Sequence, residues 1–518
     1  MRSARFAILA SLVAVLLSAT GGVVYADPGH DDDAGHSGPP ELPPFDGPSS
    51  HNMTLVGNSD KDGATNSDIA FWGNLAFSGN YNGFRVLDVS DPTNPQVLSD
   101  YYCRGPQSDV SVYQAAGRLL LFLSVDRPQN QESCDGTQAG SSRDTPLIND
   151  PQGGVRAEFG FEGIRIFDVT DPRRPVFLDG VPTPCGSHTH TLVPEPNQQR
   201  LHLYVSAYPL GSSVTPSTSD APAELRCESP HQKIPIVTVP FGNPLDSTVK
   251  AQRLSDDTAP YPAGIPGDPT RGLVKACHDI NVFMPRNLAV ASCIGDVQIW
   301  DISDPLNPTT LDGQRHTHIY SPSETDRFEF VHSGVITWDG EYFAIMDETG
   351  GGGSSECDGA PEEAGGQSEN GFYYFYRLVD PGEAAPTLLS RYMIPRPQGA
   401  QVCVSHNGNI VPVEGRYLMA AAYYMGGNTI VDFTDVRHPT EVAYSDLNDN
   451  IGMTDSWSTY WYNDHVYVNG GLGRFGASGN RGVDVFTVTN PDGTRLRARK
   501  FHHLNPQTQE VSQVPDAP

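Results

Sequence analysis

Apolar and polar residues alternate in short runs along most of this chain, and nearly every run ends in a turn signal, a pattern that predicts half-buried strands rather than helices. Four runs are close to superimposable: GFRVLDVSDPTNP (Gly83–Pro95), GIRIFDVTDPRRP (Gly163–Pro175), DVQIWDISDPLNP (Asp296–Pro308) and NTIVDFTDVRHP (Asn428–Pro439). Each keeps a two-residue period and then stops at aspartate and proline, which set a tight turn. Their spacing is uneven. Asp88 to Asp168 is 80 residues, whereas the next two gaps, to Asp301 and to Asp432, are 133 and 131, so each long gap is expected to hide a copy. QKIPIVTVP (Gln232–Pro240) and GFYYFYRLVDP (Gly371–Pro381) fall midway with the same strand character, and GVDVFTVTNP (Gly482–Pro491) brings the count to seven.

Upstream of every copy lies a strand, a turn and another strand, as in SDIAFWGNLAFSG from Ser67 and CHDINVFMPRNLAVAS from Cys277. With the strand after the Asp-Pro turn, each repeat makes a sheet of four strands, A to D, meandering outward. Such a sheet cannot bury both faces alone, so copies must pack side by side, and radial closure protects their edges. The expected fold is all-β, a seven-bladed β-propeller of four-stranded blades over residues 51–505, with long loop insertions on one face. Two segments compete to complete the last blade, Met53–Asp60 (MTLVGNSD) and Arg495–His503 (RLRARKFHH). The repeats resemble the LVIVD repeat, a family of bacterial and archaeal surface proteins. That resemblance implies propeller blades and is nearly silent on activity.

Composition agrees with an all-β chain rich in turns, through its 52 glycines and 44 prolines. Arg2 and Arg5 precede an apolar run, Phe6–Leu17, and small residues that close on Val24-Tyr25-Ala26. This is the layout of a secretory signal, with cleavage expected after Ala26. The run is too short to span a bilayer and no later segment is long enough, so no integral membrane segment is expected. The signal takes two of the 33 basic residues and no acid, leaving 31 against 62 acids, a formal charge of −31. A surface this acidic excludes nucleic acid as a partner. Residues 27–50 read as a disordered acidic and proline-rich leader and 506–518 as a flexible tail. A secreted or extracytoplasmic monomer is expected.

In an outward meander the B–C and D–A connections emerge on one face, and the A–B and C–D turns on the other. The insertions Asp126–Phe161, Leu210–His231 and Thr349–Asn370 are B–C loops. Cys134, Cys227, Cys293 and Cys357 belong to B–C loops, and Cys103, Cys185, Cys277 and Cys403 come just before A strands, on the same face. Export favours disulfides, and this distribution predicts Cys103 with Cys134, Cys185 with Cys227, Cys277 with Cys293 and Cys357 with Cys403. A free-thiol or metal role is the alternative.

Aligning the first position of strand A puts Asp68, Asp109, His188, His278, His332, His406 and Ser456 in one column. Closure would bring these positions to a ring at the channel mouth, where four imidazoles and two carboxylates converge. Neutral imidazole is a common transition-metal ligand, and a histidine-rich set favours Fe, Cu or Zn over Mg or Ca. Carotenoid-cleaving oxygenases hold iron with four inward histidines in a seven-bladed propeller, and histidines mark the copper-dependent methanethiol oxidases. The likeness is architectural, without a shared local motif. The competing reading has these side chains bonding loop amides to keep the blades in register. His190, His316 and His318 are further histidines near the column or in loops, read as satisfied or solvated. The segment NSDKDGATNSD, with Asn58, Asp60 and Asp62 at alternate positions and Gly63 at the turn, is like the first half of a calcium loop. It lacks the closing bidentate glutamate, and a polar turn is the simpler reading.

No nucleophile elbow, phosphate loop, dinucleotide fingerprint or HExxH occurs, so no nucleotide cofactor is expected. Tyr208, Tyr261, Tyr320, Trp457 and Phe475 are loop aromatics that could face a glycan or a protein, although most such residues pack. Two functions remain. One is a binding module whose loop face holds an extracellular protein, a glycan or a small ligand. The other is a metal-dependent oxidase or oxygenase using His188, His278, His332 and His406.

Overall fold

The computed structural model describes residues 47–61, 63–129, 132–134, 147–149, 155–157, 161–207, 231–254, 276–308, 316–319, 328, 330–348, 371–396, 398, 401–470 and 481–510. The described strands sort into antiparallel four-strand meanders, each repeat copy supplying a third strand: Gly83–Asp88, Phe161–Asp168, Lys233–Pro240, Asp296–Asp301, Tyr373–Arg377, Asn428–Asp432 and Gly482–Val488. The innermost strands are Asn66–Trp72, Gln107–Ala115, Thr189–Glu195, Asp279–Phe283, Val331–Ile336, Asn407–Val411 and Ser456–Tyr462. Each touches the next in chain order, and the last touches the first, so they close a ring. Apolar side chains of neighbouring sheets pack between them, as where Leu120, Phe122, Ile164 and Ile166 meet Leu192, Leu201, Leu203 and Val237.

The repeat motif is explained by its turns. In the first copy Asp88 Oδ1 accepts the Ser90 amide (2.9 Å) and Asp91 Oδ1 the Thr93 amide (3.0 Å). The same pair recurs as Asp168 with Thr170 and Asp171 with Arg173, Asp301 with Ser303 and Asp304 with Leu306, and Asp432 with Thr434 and Asp435 with Arg437. Two successive aspartate-capped turns reverse the chain there, which is why aspartate marks the repeat. The leading glycine has its own cause. Gly83 and Gly163 have φ of 133° and 145°, and a Cβ on either would lie 2.1 or 2.2 Å from a carbonyl oxygen of the outer strand.

Of the two segments competing to close the ring, Met53–Ser59 is the one that pairs with Gly482–Val488, Met53 lying opposite Val488. The buried Arg85 guanidinium ties its end down, donating to Ser59 O (3.1 Å) and Asp60 O (2.8 Å). The chain is already docked before this strand, where the Ser50 amide donates to Tyr444 O (3.0 Å). The Arg495–His503 segment runs elsewhere, with Arg499 N on Pro412 O (2.9 Å) and Phe501 in the core.

The tail corrects its expected boundary. Residues 503–509 are buried, and the segment crosses the ends of the innermost strands opposite to those that carry the histidines. His503 and Leu504 pair with Trp72 and Phe71, and Thr508 and Gln509 run parallel to Val282 and Phe283. Asn505 bonds both backbone groups of Val112, Thr508 Oγ1 donates to Leu192 O, and Gln509 bonds both backbone groups of Ile336. The segment supplies, from one piece of chain, partners for backbone groups that four-strand sheets leave open on their inner edges.

Cys103 is joined to Cys134 and Cys277 to Cys293, as expected. Cys185 and Cys403 are each disulfide-bonded, while Cys227 and Cys357 lie outside the described residues. Residues 1–46, including the expected signal and most of the leader, also lie outside them. No helix among the described residues is long and apolar enough to cross a membrane.

Candidate metal centre

The four column histidines sit at the starts of four consecutive innermost strands. The amides of His188, His278 and His406 each donate to the end of the second strand of their own sheet, at Ser206 O (2.8 Å), Ser292 O (2.7 Å) and Ala422 O (2.9 Å). The ring closure then sets the imidazoles in a contiguous file. Centroid separations are 4.6 Å from His188 to His278, 3.9 Å from His278 to His332 and 4.1 Å from His332 to His406. His278, His332 and His406 are buried, and the His188 side chain is 16 % exposed.

Every ring turns Nδ1 toward an acceptor. His188 Nδ1 lies 3.1 Å from Asp126 Oδ2, and His406 Nδ1 donates to Trp457 O. His278 Nδ1 and His332 Nδ1 flank one carboxylate, at 3.4 Å from Asp279 Oδ1 and 3.7 Å from Asp279 Oδ2. A carbonyl or carboxylate oxygen can only accept, so neutral His188 and His406, whose Nδ1 atoms meet such oxygens within hydrogen-bond distance, carry the proton on Nδ1 and the lone pair on Nε2. The Nε2 atoms of His332 and His406 face a second acid. Glu348 Oε2 is 3.9 Å from His332 Nε2, and Glu348 Oε1 is 3.6 Å from His406 Nε2 while accepting a hydrogen bond from Tyr424 Oη. Lone pairs opposed to a carboxylate at this range ask for a cation between them. Ligand atoms of His278, His332 and Glu348 all lie within 4.8 Å of one another, so these three residues could hold a metal ion. Burial pushes the His332 pKa well down, helped by the neighbouring imidazoles, and burial lowers that of His188. Both shifts favour the neutral, ligating form.

The two carboxylates of the column do not join these imidazoles. Asp68 Oδ2 accepts from Asn407 Nδ2 (2.9 Å) and Tyr460 Oη (3.0 Å), and its Oδ1 from the Ile69 amide (2.8 Å). Asp109 Oδ2 accepts the His190 amide (2.9 Å) and lies 3.2 Å from His190 Nδ1. His190 is further satisfied by Ser111 and Ser124, and burial pushes its pKa down to about 3. Ser456 uses its amide on Tyr424 O (2.9 Å). The acids that do meet the histidines, Asp126, Asp279 and Glu348, were missed. Asp279 follows His278 directly, which was a usable signal. Glu348 directly follows the second strand of its sheet, Tyr342–Asp347, a position that gains meaning only once the ring brings it beside its neighbours.

Asn58 Nδ2 donates to Arg481 O (2.7 Å) and Asp484 Oδ1 (2.8 Å), so its side chain joins the closing strand to the last sheet. Asp60 is exposed and Asp62 lies outside the described residues. His316 and His318 sit on the outer strand His316–Ile319, opposite Trp300 and Gln298. Trp457 is buried against His406, with ring centroids 5.1 Å apart, so it does not face a partner at the surface. Tyr208, Tyr261, Tyr320 and Phe475 lie outside the described residues.

Residues 63–102 match the profile of the LVIVD repeat family, a stretch that takes in the first four-stranded sheet. No curated protein matches the chain.

Proposed function

We propose that this LVIVD-repeat chain is an exported seven-bladed propeller that holds a transition metal at one mouth of its central channel, with metal-dependent oxidoreductase chemistry as its activity. The observation that carries the reading is the inward set of nitrogens. Nδ1 of His188 and of His406 meets an oxygen acceptor, Nδ1 of His278 and of His332 faces Asp279, and Nε2 of His332 and of His406 faces Glu348. Outer acceptors that fix the tautomer of ligating histidines are a regular part of metal sites. His278, His332 and Glu348 form the ligand core, with His406 and His188 flanking it. A set of imidazoles with one carboxylate suits Fe, Zn or Cu(II). A bound ion would supply Lewis acidity or electron transfer, and the neighbouring disulfides Cys103–Cys134 and Cys277–Cys293 would brace the surrounding loop face.

The same bracing favours a second reading, in which the loop face binds an extracellular protein, a glycan or a small ligand and the metal is structural. Metal analysis tests the first step of either. The chain from residue 27, purified without chelator, is expected to carry about one transition-metal ion per molecule or to take one up on reloading. His278→Ala with His332→Ala should abolish this while the β-sheet circular dichroism persists. A wild-type chain that stays metal-free after reloading with Fe(II), Zn(II) and Cu(II) sinks the metal centre and leaves the binding module. Oxygen consumption or turnover of a redox dye by the loaded chain separates the oxidoreductase from the structural metal.

A further inference from the structure

We infer that Asp279 is the positioning carboxylate of this centre, a single buried anion set between Nδ1 of His278 and Nδ1 of His332 that orients both rings and thereby tunes the site to a divalent ion. The inference rests on the metal reading above and adds a residue outside its ligand core. Asp279 opens the strand Asp279–Phe283, directly after His278, and His332 stands on the adjacent innermost strand. Its two oxygens divide between the two rings, at 3.4 Å and 3.7 Å. The side chain is 1 % exposed and neither oxygen accepts a hydrogen bond. Asp68 and Asp109 are near enough to be affected by its charge.

A buried carboxylate without donors is costly, and like charges nearby add to the cost. Packing alone gives no reason to keep one here. The residues that follow the other three histidines are Thr189, Ser333 and Asn407, all neutral. What makes an anion useful at this one position is its place between two ligand rings. There it orients both rings, raises the basicity of both Nε2 atoms, and adds a second negative charge to that of Glu348. Two carboxylates against one ion balance a charge of +2, which favours Zn(II), Fe(II) or Cu(II) over Cu(I).

The test compares wild type with Asp279→Asn, a nearly isosteric change that retains one acceptor oxygen. Each is measured metal-free and loaded with Co(II) or Zn(II). Affinity is read by chelator competition, the ligand field by the visible Co(II) bands, and stability by the melting temperature of the metal-free chain. The variant should bind Zn(II) about 10- to 100-fold more weakly, as expected for an outer-shell partner, with shifted Co(II) bands. Its metal-free melting temperature should equal or exceed that of wild type, because a costly buried charge is gone. Equal affinity and unchanged bands, with wild type binding normally, would overturn the role of Asp279 and leave the metal centre standing. A metal-free variant that melts well below metal-free wild type would also overturn it, marking Asp279 as a structural residue. A wild-type chain that takes up no divalent ion would end both readings together.

Discussion

Asp68 shows how a buried acid can be kept without a metal. It accepts hydrogen bonds from Asn407, Tyr460 and the Ile69 amide, yet burial outweighs them and pushes its pKa up to about 7. Between the ordinary carboxylate value near 4 and this raised value, the folded chain keeps a proton that the unfolded chain has released. The contribution to stability is therefore greatest at low pH and is lost as pH rises toward and through 7. Titrating alone, the group would cost up to about 4 kcal/mol by pH 8, from three units at 1.36 kcal/mol each. Asp109, raised by burial and by the neighbouring Asp68, works in the same direction. Asp68→Asn should accordingly gain stability relative to wild type from pH 5 to pH 8 in urea denaturation. A difference that stays flat across that range would show that Asp68 does not titrate there. The column that singled out the histidines took in Asp68 and passed over Asp279, because sequence alignment fixes a position along a strand and not the charge on the strand beside it. His278, His332 and His406 were readable from their offset to the repeat. Glu348, which shares no repeat position with them, was not.

At the level of elements, the fold was readable because its turns obey local chemistry. Asp88 with Asp91, and their counterparts in three other copies, use side chains to cap their own backbone, so the signal survives without tertiary context. Closure depends on long-range pairing, and for that reason two segments looked equally suited to it. What decides the outcome is a partner far away in the chain. The Met53–Ser59 strand covers Gly482–Val488, and its last residues are the acceptors for the buried Arg85. Deleting residues 47–60 would leave that edge unpaired and strand a buried guanidinium without its partners. The combined penalty should be on the order of 5 kcal/mol or more, comparable with the net stability of many domains. The deletion is expected to yield aggregated or non-cooperatively unfolding chain, and a synthetic 47–60 peptide added during refolding should restore part of the monomeric fraction on size-exclusion chromatography. A deleted chain that melts within about 2 °C of full length would contradict this role for the strand.

For the whole molecule, the two ends of the channel are built differently. The histidine file lies at one, and the 503–510 segment bridges the other by pairing with strands of separate sheets. His503 Nε2 and Glu510 Oε2, 2.9 Å apart, tie the two ends of that segment to each other. A ring made of separate sheets resists opening only as well as its weakest junction, and one segment bonded to six of them makes their separation cooperative. The segment crosses the far mouth, so on the proposed metal reading an ion would reach the centre from the histidine end. Two truncations weigh this. Removing 511–518 serves as the reference. Removing 503–518 would strip partners from the backbone of Val112, Leu192, Val282 and Ile336. At about 1 kcal/mol for each bond lost, the expected cost is on the order of 5 kcal/mol. Denaturant titration would show it as a lower midpoint for the longer truncation alone, and hydrogen exchange should locate the added opening in the innermost strands. If the two truncations unfold at the same midpoint, the segment merely lies in the channel and the junctions between sheets hold the ring by themselves.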